Sequence, residues 1–277
     1  MRIHHLNCGS FCPHASRLIT GKGSLFSKGL MVCHCVLLET DREGLILIDT
    51  GIGTRDCTQA NKWPVGMRSI SRPRLDLSET AAHQLKNLGF DSSDVRHIIV
   101  THLDLDHAGG LADFPQAVVH VHATEQARAM NPVTTIERRR YLSSQWSHRP
   151  TWETYNEFGD TWFGLQAVNQ LRGVNCDVAL VPLVGHTEGH TGIAIKGSDG
   201  WMIHAGDAYF HKDQIEQPPS CPKLLDFFQK SIAANDQMRR ENLARLRELN
   251  GEKSDEVQIF CAHDPDEFFH LSKRNAS

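Results

Sequence analysis

The sequence has eight cysteines but no Cys-x-x-Cys pair, which excludes a zinc ribbon and a thioredoxin-like redox motif. No apolar run approaches the ~20 residues of a membrane span. The opening "MRIHHLNCGSFCPHASRL" lacks the apolar core of a secretory signal, so a cytoplasmic protein is expected. Aromatic residues make up only 7% beside 40% hydrophobic residues, the balance of a soluble globular chain. A strong excess of either charge is missing too, with 29 Lys and Arg against 33 Asp and Glu. A net charge of −4 gives no electrostatic reason to expect nucleic acid or an anionic membrane as partner. That leaves a small-molecule substrate, with a homodimer left open. No internal repeat, low-complexity segment or linker breaks the 277 residues, so residues 1–277 read as one domain.

Histidine is what the chain has in quantity, 17 in all, more than packing requires. The cysteines are scattered and read as reduced thiols in the core. Cys33 and Cys35 alternate along "MVCHCVLLET" and would share one face of a strand.

Short apolar, β-branched runs bounded by Gly, Asp or Asn predict strands over 31–39, 44–49, 96–101, 117–122, 177–184, 191–196, 201–205 and 256–262. "LSETAAHQLKNLGF" predicts a helix with Ser78 as N-cap and Gly89 just past its end. "ATEQARAM" predicts a shorter helix, and about 223–249 carries apolar positions at helical spacing beside i,i+4 charges. Residues 130–170, rich in Arg, Trp and Thr, read as a helical insertion or cap. Residues 211–223 (HKDQIEQPPSCPK) read as an exposed loop.

The stretch "THLDLDHAGG" begins where the strand "RHIIV" stops. A loop at a strand end can aim several side chains at one point, and His102, Asp104, Asp106 and His107 lie within six residues. Imidazole mixed with carboxylate suits zinc, iron or manganese better than a calcium cage of oxygens. The competing reading is a polar turn whose carboxylates cap the helix that follows. "VGHTEGH" adds His186 and His190 after a strand, "IHAGDAYF" ends a strand with Asp207, and "IFCAHD" ends another with His263. One shared site would need such residues at strand ends.

This ordered set resembles the metallo-β-lactamase superfamily over nearly the whole chain. Within it, "CHCVLLET" with "LILIDTGIG", "LKNLGFDSSDVRHIIVTHLDLDHAGG", "GHTEGH" and "CAHD" are most similar to the N-acyl-homoserine lactonase branch. The resemblance implies an α/β fold, an αββα sandwich, with two divalent metal ions at the strand ends between the sheets. His102, Asp104 and His186 would hold one ion. Asp106, His107 and His263 would hold the other, with Asp207 bridging. Asp49 and His190 would support the ligands from behind. The implied activity is metal-dependent hydrolysis, a lactone ahead of a thioester, aryl ester or phosphoester, with Asp106 also moving the proton. A non-hydrolytic metal or redox protein is the alternative. In the lactonase branch a tyrosine shortly after the bridging aspartate helps hold the substrate carbonyl. Here Tyr209 comes one residue early and Phe210 stands where that tyrosine is expected. Leu25 and Phe26 correspond to a segment lining the acyl pocket.

Asp104 departs from the family pattern, which has histidine there. The exchange adds one negative charge, weakens the Lewis acidity of the first ion, and brings manganese or iron in beside zinc. Three readings follow: Asp104 is a direct ligand, it sits behind a weakened first site, or the enzyme holds a single ion.

Overall fold

The computed structural model describes residues 1–40, 43–63, 65–156 and 158–274; position 157 of the 130–170 segment lies outside them. One sheet runs β1 (Arg2–Phe11), β2 (Met31–Glu39), β3 (Leu45–Ile48), β4 (Val95–Ile99), β5 (Val118–His122), β6 (Thr151–Tyr155), in that spatial order. Its first three strands are antiparallel neighbours and β3 to β6 pair in parallel. A small hairpin of β7 (Asp160–Trp162) and β8 (Leu165–Ala167) follows. The second sheet is formed by β9 (Val178–Pro182), β10 (Thr191–Gly197), β11 (Gly200–His204) and β12 (Val257–Phe260), ordered β12-β11-β10-β9.

Strand alternation builds the layers. Val36, Leu38, Ile46, Ile48 and Ile99 of the first sheet meet Leu180, Ile193, Ile195 and Phe260 of the second in one buried cluster. The intervening Leu37, Leu47 and Ile98 face outward and pack with Ala81, Leu85 and Ala129 from the helices Ala81–Asn87 and Ala123–Met130. On the opposite side Val181, Ala194 and Ile203 pack with Leu243, Leu246 and Leu249 of the helix Asp236–Lys253. Each fully buried Leu or Ile contributes about 1.5–3 kcal/mol relative to exposure. The expected αββα sandwich is the observed fold. No helix among the described residues is long and apolar enough to cross a membrane.

Several local expectations need correction. Ser78 is not the cap: Leu77–Glu79 first makes a 3-10 turn capped by Asp76, and the Thr80 hydroxyl accepts from the His83 amide. Gly89, at φ +89°, does end that helix, letting the Phe90 amide reach the Leu85 carbonyl at 3.0 Å. The 130–170 segment is not a helical insertion as a whole. Among its described residues beyond Met130, Thr135–Arg140 and a 3-10 turn are helical, and Thr151–Tyr155 pairs along β5 because its Thr, Trp and Tyr favour a pleated surface. The 211–223 loop is exposed only in part, since Gln214 and Ile215 are buried. All eight cysteines are free, and Cys12, Cys57, Cys176 and Cys221 are only partly buried, short of the core.

Candidate metal centre

All the pieces sit at one end of the sandwich. The turn after β4 brings His102, Asp104, Asp106 and His107, the β9–β10 connection brings His186, and Asp207 and His263 follow β11 and β12. Asp104 occupies the N-cap position of the short helix Leu105–Ala108, yet its carboxylate makes no capping bond. The turn's carboxylates are therefore spent elsewhere.

Asp207 divides the cluster. Its Oδ2 lies 3.3 Å from His186 Nε2 and 3.8 Å from His102 Nε2, while its Oδ1 lies 3.2 Å from both His107 Nε2 and His263 Nε2. Asp104 Oδ2 joins the first group, 3.1 Å from His186 Nε2 and 3.5 Å from His102 Nε2. Asp106 Oδ2 joins the second, 3.5 Å from His263 Nε2. Two donor sets result, His102–Asp104–His186–Asp207 and His107–Asp207–His263 with Asp106 beside it. Cys33 Sγ stands against Asp106 and His263, a neighbour that a reading of Cys33 as a plain core thiol overlooks.

The imidazoles are aimed from behind. His107 Nδ1 is 2.8 Å from Asp49 Oδ2, His102 Nδ1 is 3.0 Å from the Thr101 hydroxyl, and His263 Nδ1 is 2.8 Å from the Val32 carbonyl. The Thr101 hydroxyl in turn donates a hydrogen bond to Asp49 Oδ2. With Nδ1 donating in each ring, the Nε2 lone pair is the one presented to the centre. His190 accepts from the Asp207 amide at 2.9 Å while its other nitrogen meets the Leu183 carbonyl, so it fixes the dividing carboxylate. Gly206, at φ +53°, makes this approach feasible, because a Cβ there would come within 2.5 Å of His190 Nε2.

Charge follows the same division. Burial alone would raise Asp207, but His263, His107 and His186 hold it well below the usual carboxylate range. Burial opposes charge on His107 as well, yet Asp207, Asp49 and Asp106 lift it well above the ordinary imidazole value. His102 Nε2, His107 Nε2 and Asp207 Oδ1, all facing the centre, are buried without a hydrogen-bond partner. Buried polar atoms normally have partners. Divalent cations between these donors would satisfy that demand, so the residues fit a pair of metal ions.

Tyr209 is not in this cluster. It is fully buried with its hydroxyl donating to Glu267 Oε1 at 2.8 Å, because the chain alternates and turns the neighbouring Phe210 inward instead. The Phe210 ring centre lies 4.6 Å from that of His263 and 6.2 Å from that of His186. Leu25 and Phe26 lie outside the cluster of metal-ligand side chains. They are 54% and 96% exposed on a loop, and the Phe26 ring packs against almost nothing.

Two supporting residues were invisible in the sequence. Glu125, fully buried, accepts from the amides of Leu103 and Gly189 and from the hydroxyls of Tyr141 and Thr187. It therefore ties both metal-side loops together. Arg140, the last residue of the helix Thr135–Arg140, places Nε 3.4 Å from Asp104 Oδ1. A Glu in the first turn of a helix and an Arg in a basic run give no sequence signal of such roles.

Comparison with known proteins agrees with this geometry. The family model for the metallo-beta-lactamase superfamily matches residues 29–263. A probable metallo-hydrolase of Mycobacterium tuberculosis is 38% identical over 277 residues, covering 100% of this chain and 84% of that protein. The N-acyl homoserine lactonase AttM of Rhizobium radiobacter is 26% identical over 239 residues, covering 85% of this chain and 83% of its own. Among solved structures, an N-acyl homoserine lactone hydrolase with bound N-hexanoyl-L-homoserine superposes with a TM-score of 0.71 at 20% identity, covering 97% of this chain and 95% of that one. At that identity the structural likeness speaks for the fold alone. Matched across most of its length, the chain belongs to the metallo-β-lactamase superfamily.

Proposed function

We propose that the protein is a metallo-hydrolase that opens a lactone of the N-acyl-homoserine type, or a closely related ester, at a two-ion centre. The observation that carries the two-ion reading is Asp207, whose two oxygens each face a separate pair of histidines. Bound there, two divalent ions would supply an activated water and Lewis acidity toward the ester carbonyl. His102, Asp104 and His186 would hold one ion, Asp106, His107 and His263 the other, and Asp207 both. Asp106, partly exposed and with its Oδ2 3.5 Å from His263 Nε2, would hold a proton and return it to the leaving oxygen. Phe210 supplies an apolar wall beside His263 that limits water at the reacting bond. Similarity to the AttM lactonases supports the lactone as substrate.

Because Phe210 brings no hydroxyl to the carbonyl and Tyr209 faces away, a thioester or phosphoester is the second reading. Purified protein, analysed for metal and assayed against lactone, thioester and phosphodiester panels, tests both. Two ions per chain with lactone opening supports the proposal. Turnover of the other esters without lactone opening at full metal load overturns the lactone, and one ion per chain overturns the paired centre.

A further inference from the structure

The guanidinium of Arg140 is committed on three sides. Nε faces Asp104 Oδ1, one terminal nitrogen donates to the His186 carbonyl at 2.9 Å, and the other donates to the Ile232 carbonyl. Ile232 ends the helix Lys223–Ile232, where carbonyls lack intrahelical partners and the dipole is negative. The Arg140 side chain is only 9% exposed. Burying it there costs desolvation that only partners of opposite charge offset. Next to it, Tyr141 donates to Glu125, which holds the backbone of both metal-side loops.

Asp104 is split to match. Oδ2 faces the His102 and His186 nitrogens, whereas Oδ1 has no hydrogen bond among the described residues and faces the guanidinium. A carboxylate in this position can turn about its Cβ–Cγ bond, and its charge adds to those of Asp106 and Asp207. Arg140 answers both problems. Its positive charge returns the donor set to the net charge that a histidine at 104 would give. Its planar fork also fixes which oxygen points at the centre, which a lysine's single ammonium would not do.

We propose that Arg140 is the positioning residue that lets Asp104 serve as a ligand where the family pattern has histidine. This rests on the two-ion reading above. The segment 130–170 then reaches Asp104 through Arg140, and residues 104 and 140 behave as a unit.

The test is a double-mutant cycle on Asp104→His and Arg140→Gln, read by metal content and by zinc competition against a chelator on the full chain. Cobalt-substituted protein adds a visible spectrum that reports the ligand set, and thermal unfolding separates loss of fold from loss of metal. Arg140→Gln is expected to weaken the first ion by about 10–100-fold, the range for residues that orient ligands, and to leave the second nearly unchanged. Arg140→Lys, which keeps the charge without the fork, should lose less and keeps the test open if the glutamine variant folds poorly. Asp104→His alone leaves a cation against a neutral ligand and should also weaken the first ion. The double variant should bind two ions better than either single one. Additive losses with two ions in the parent protein would overturn the coupling alone. A parent protein that takes up one ion or none would overturn it together with the two-ion reading.

Discussion

Asp49→Asn keeps the size of a side chain that is 1% exposed, yet it should damage the centre. Asp49 Oδ1 accepts from the Thr101 amide at 2.8 Å, and Oδ2 meets the Thr101 hydroxyl and His107 Nδ1, each at 2.8 Å. An asparagine has one oxygen for these two directions. In one orientation its amide confronts the Thr101 N–H. In the other it confronts His107 Nδ1–H and favours the tautomer that carries its proton on Nε2, where the ion must bind. Backbone strain does not change between the two, since position 49 sits at φ +52° and both Asp and Asn tolerate the left-handed region. A hydrogen bond to a charged group is worth about 1.5–3 kcal/mol, and a factor of ten in affinity corresponds to about 1.4 kcal/mol. Loss of this one contact therefore predicts zinc affinity about 10–100-fold lower at the His107 side, with a smaller effect at the His102 side through Thr101. Chelator competition resolves the two dissociation constants, and thermal unfolding checks that the variant is folded. Both constants staying within about twofold of the parent would refute the claim that Asp49 sets the His107 tautomer.

Two further outcomes follow from the placement of Tyr209. Tyr209→Phe should leave kcat nearly unchanged and lower stability by about 1 kcal/mol, the net worth of its bond to Glu267. A fall in kcat of about tenfold or more, ~1.4 kcal/mol of barrier, would return the hydroxyl to the reaction. Burial, followed by the charge of Asp264, pushes Glu267 up to about 8. A carboxyl raised above its unfolded value favours folding at low pH, and that contribution is lost as pH rises from about 4.5 through about 8. Measured as wild type minus Glu267→Gln, unfolding free energy should fall by up to about 1.4 kcal/mol per pH unit across that window. A pH-independent difference would show that Glu267 is already ionised when buried.

The strands that carry ligands were legible because they are short, apolar and β-branched. Their ends announce themselves where His or Asp comes within three residues of an apolar run, as in Ile99 before His102 and Phe260 before His263. β1 escaped notice since "RIHHLNCGSF" looks polar. It is a strand because it pairs along β2, where His5 finds His34 at 2.8 Å and His4 finds Glu39 at 3.1 Å. Partners some thirty residues away in sequence leave no local periodicity to read. Direction was lost for the same reason. Tyr209 and Phe210 are equally apolar and adjacent, and only the packing around Glu267 and His263 decides which one turns inward.

Asp104 shows most clearly what the sequence could pose and could not answer. Its chemistry, one charge more and a shorter reach than histidine, was evident from the motif, and so were three ways of accommodating it. The geometry places its Oδ2 with His102 and His186, which favours the direct-ligand reading. What makes that arrangement tolerable lies 36 residues further on, in a stretch that reads from sequence as a helical insertion or cap. An isolated extra carboxylate would repel Asp207 and weaken the ion it helps to bind, whereas one held by a buried guanidinium does neither. A change at the motif therefore need not alter the chemistry if a compensating charge arrives from another element. Where "HLDLDH" stands in place of the histidine pattern, the informative residue to inspect is the one facing the back of that aspartate.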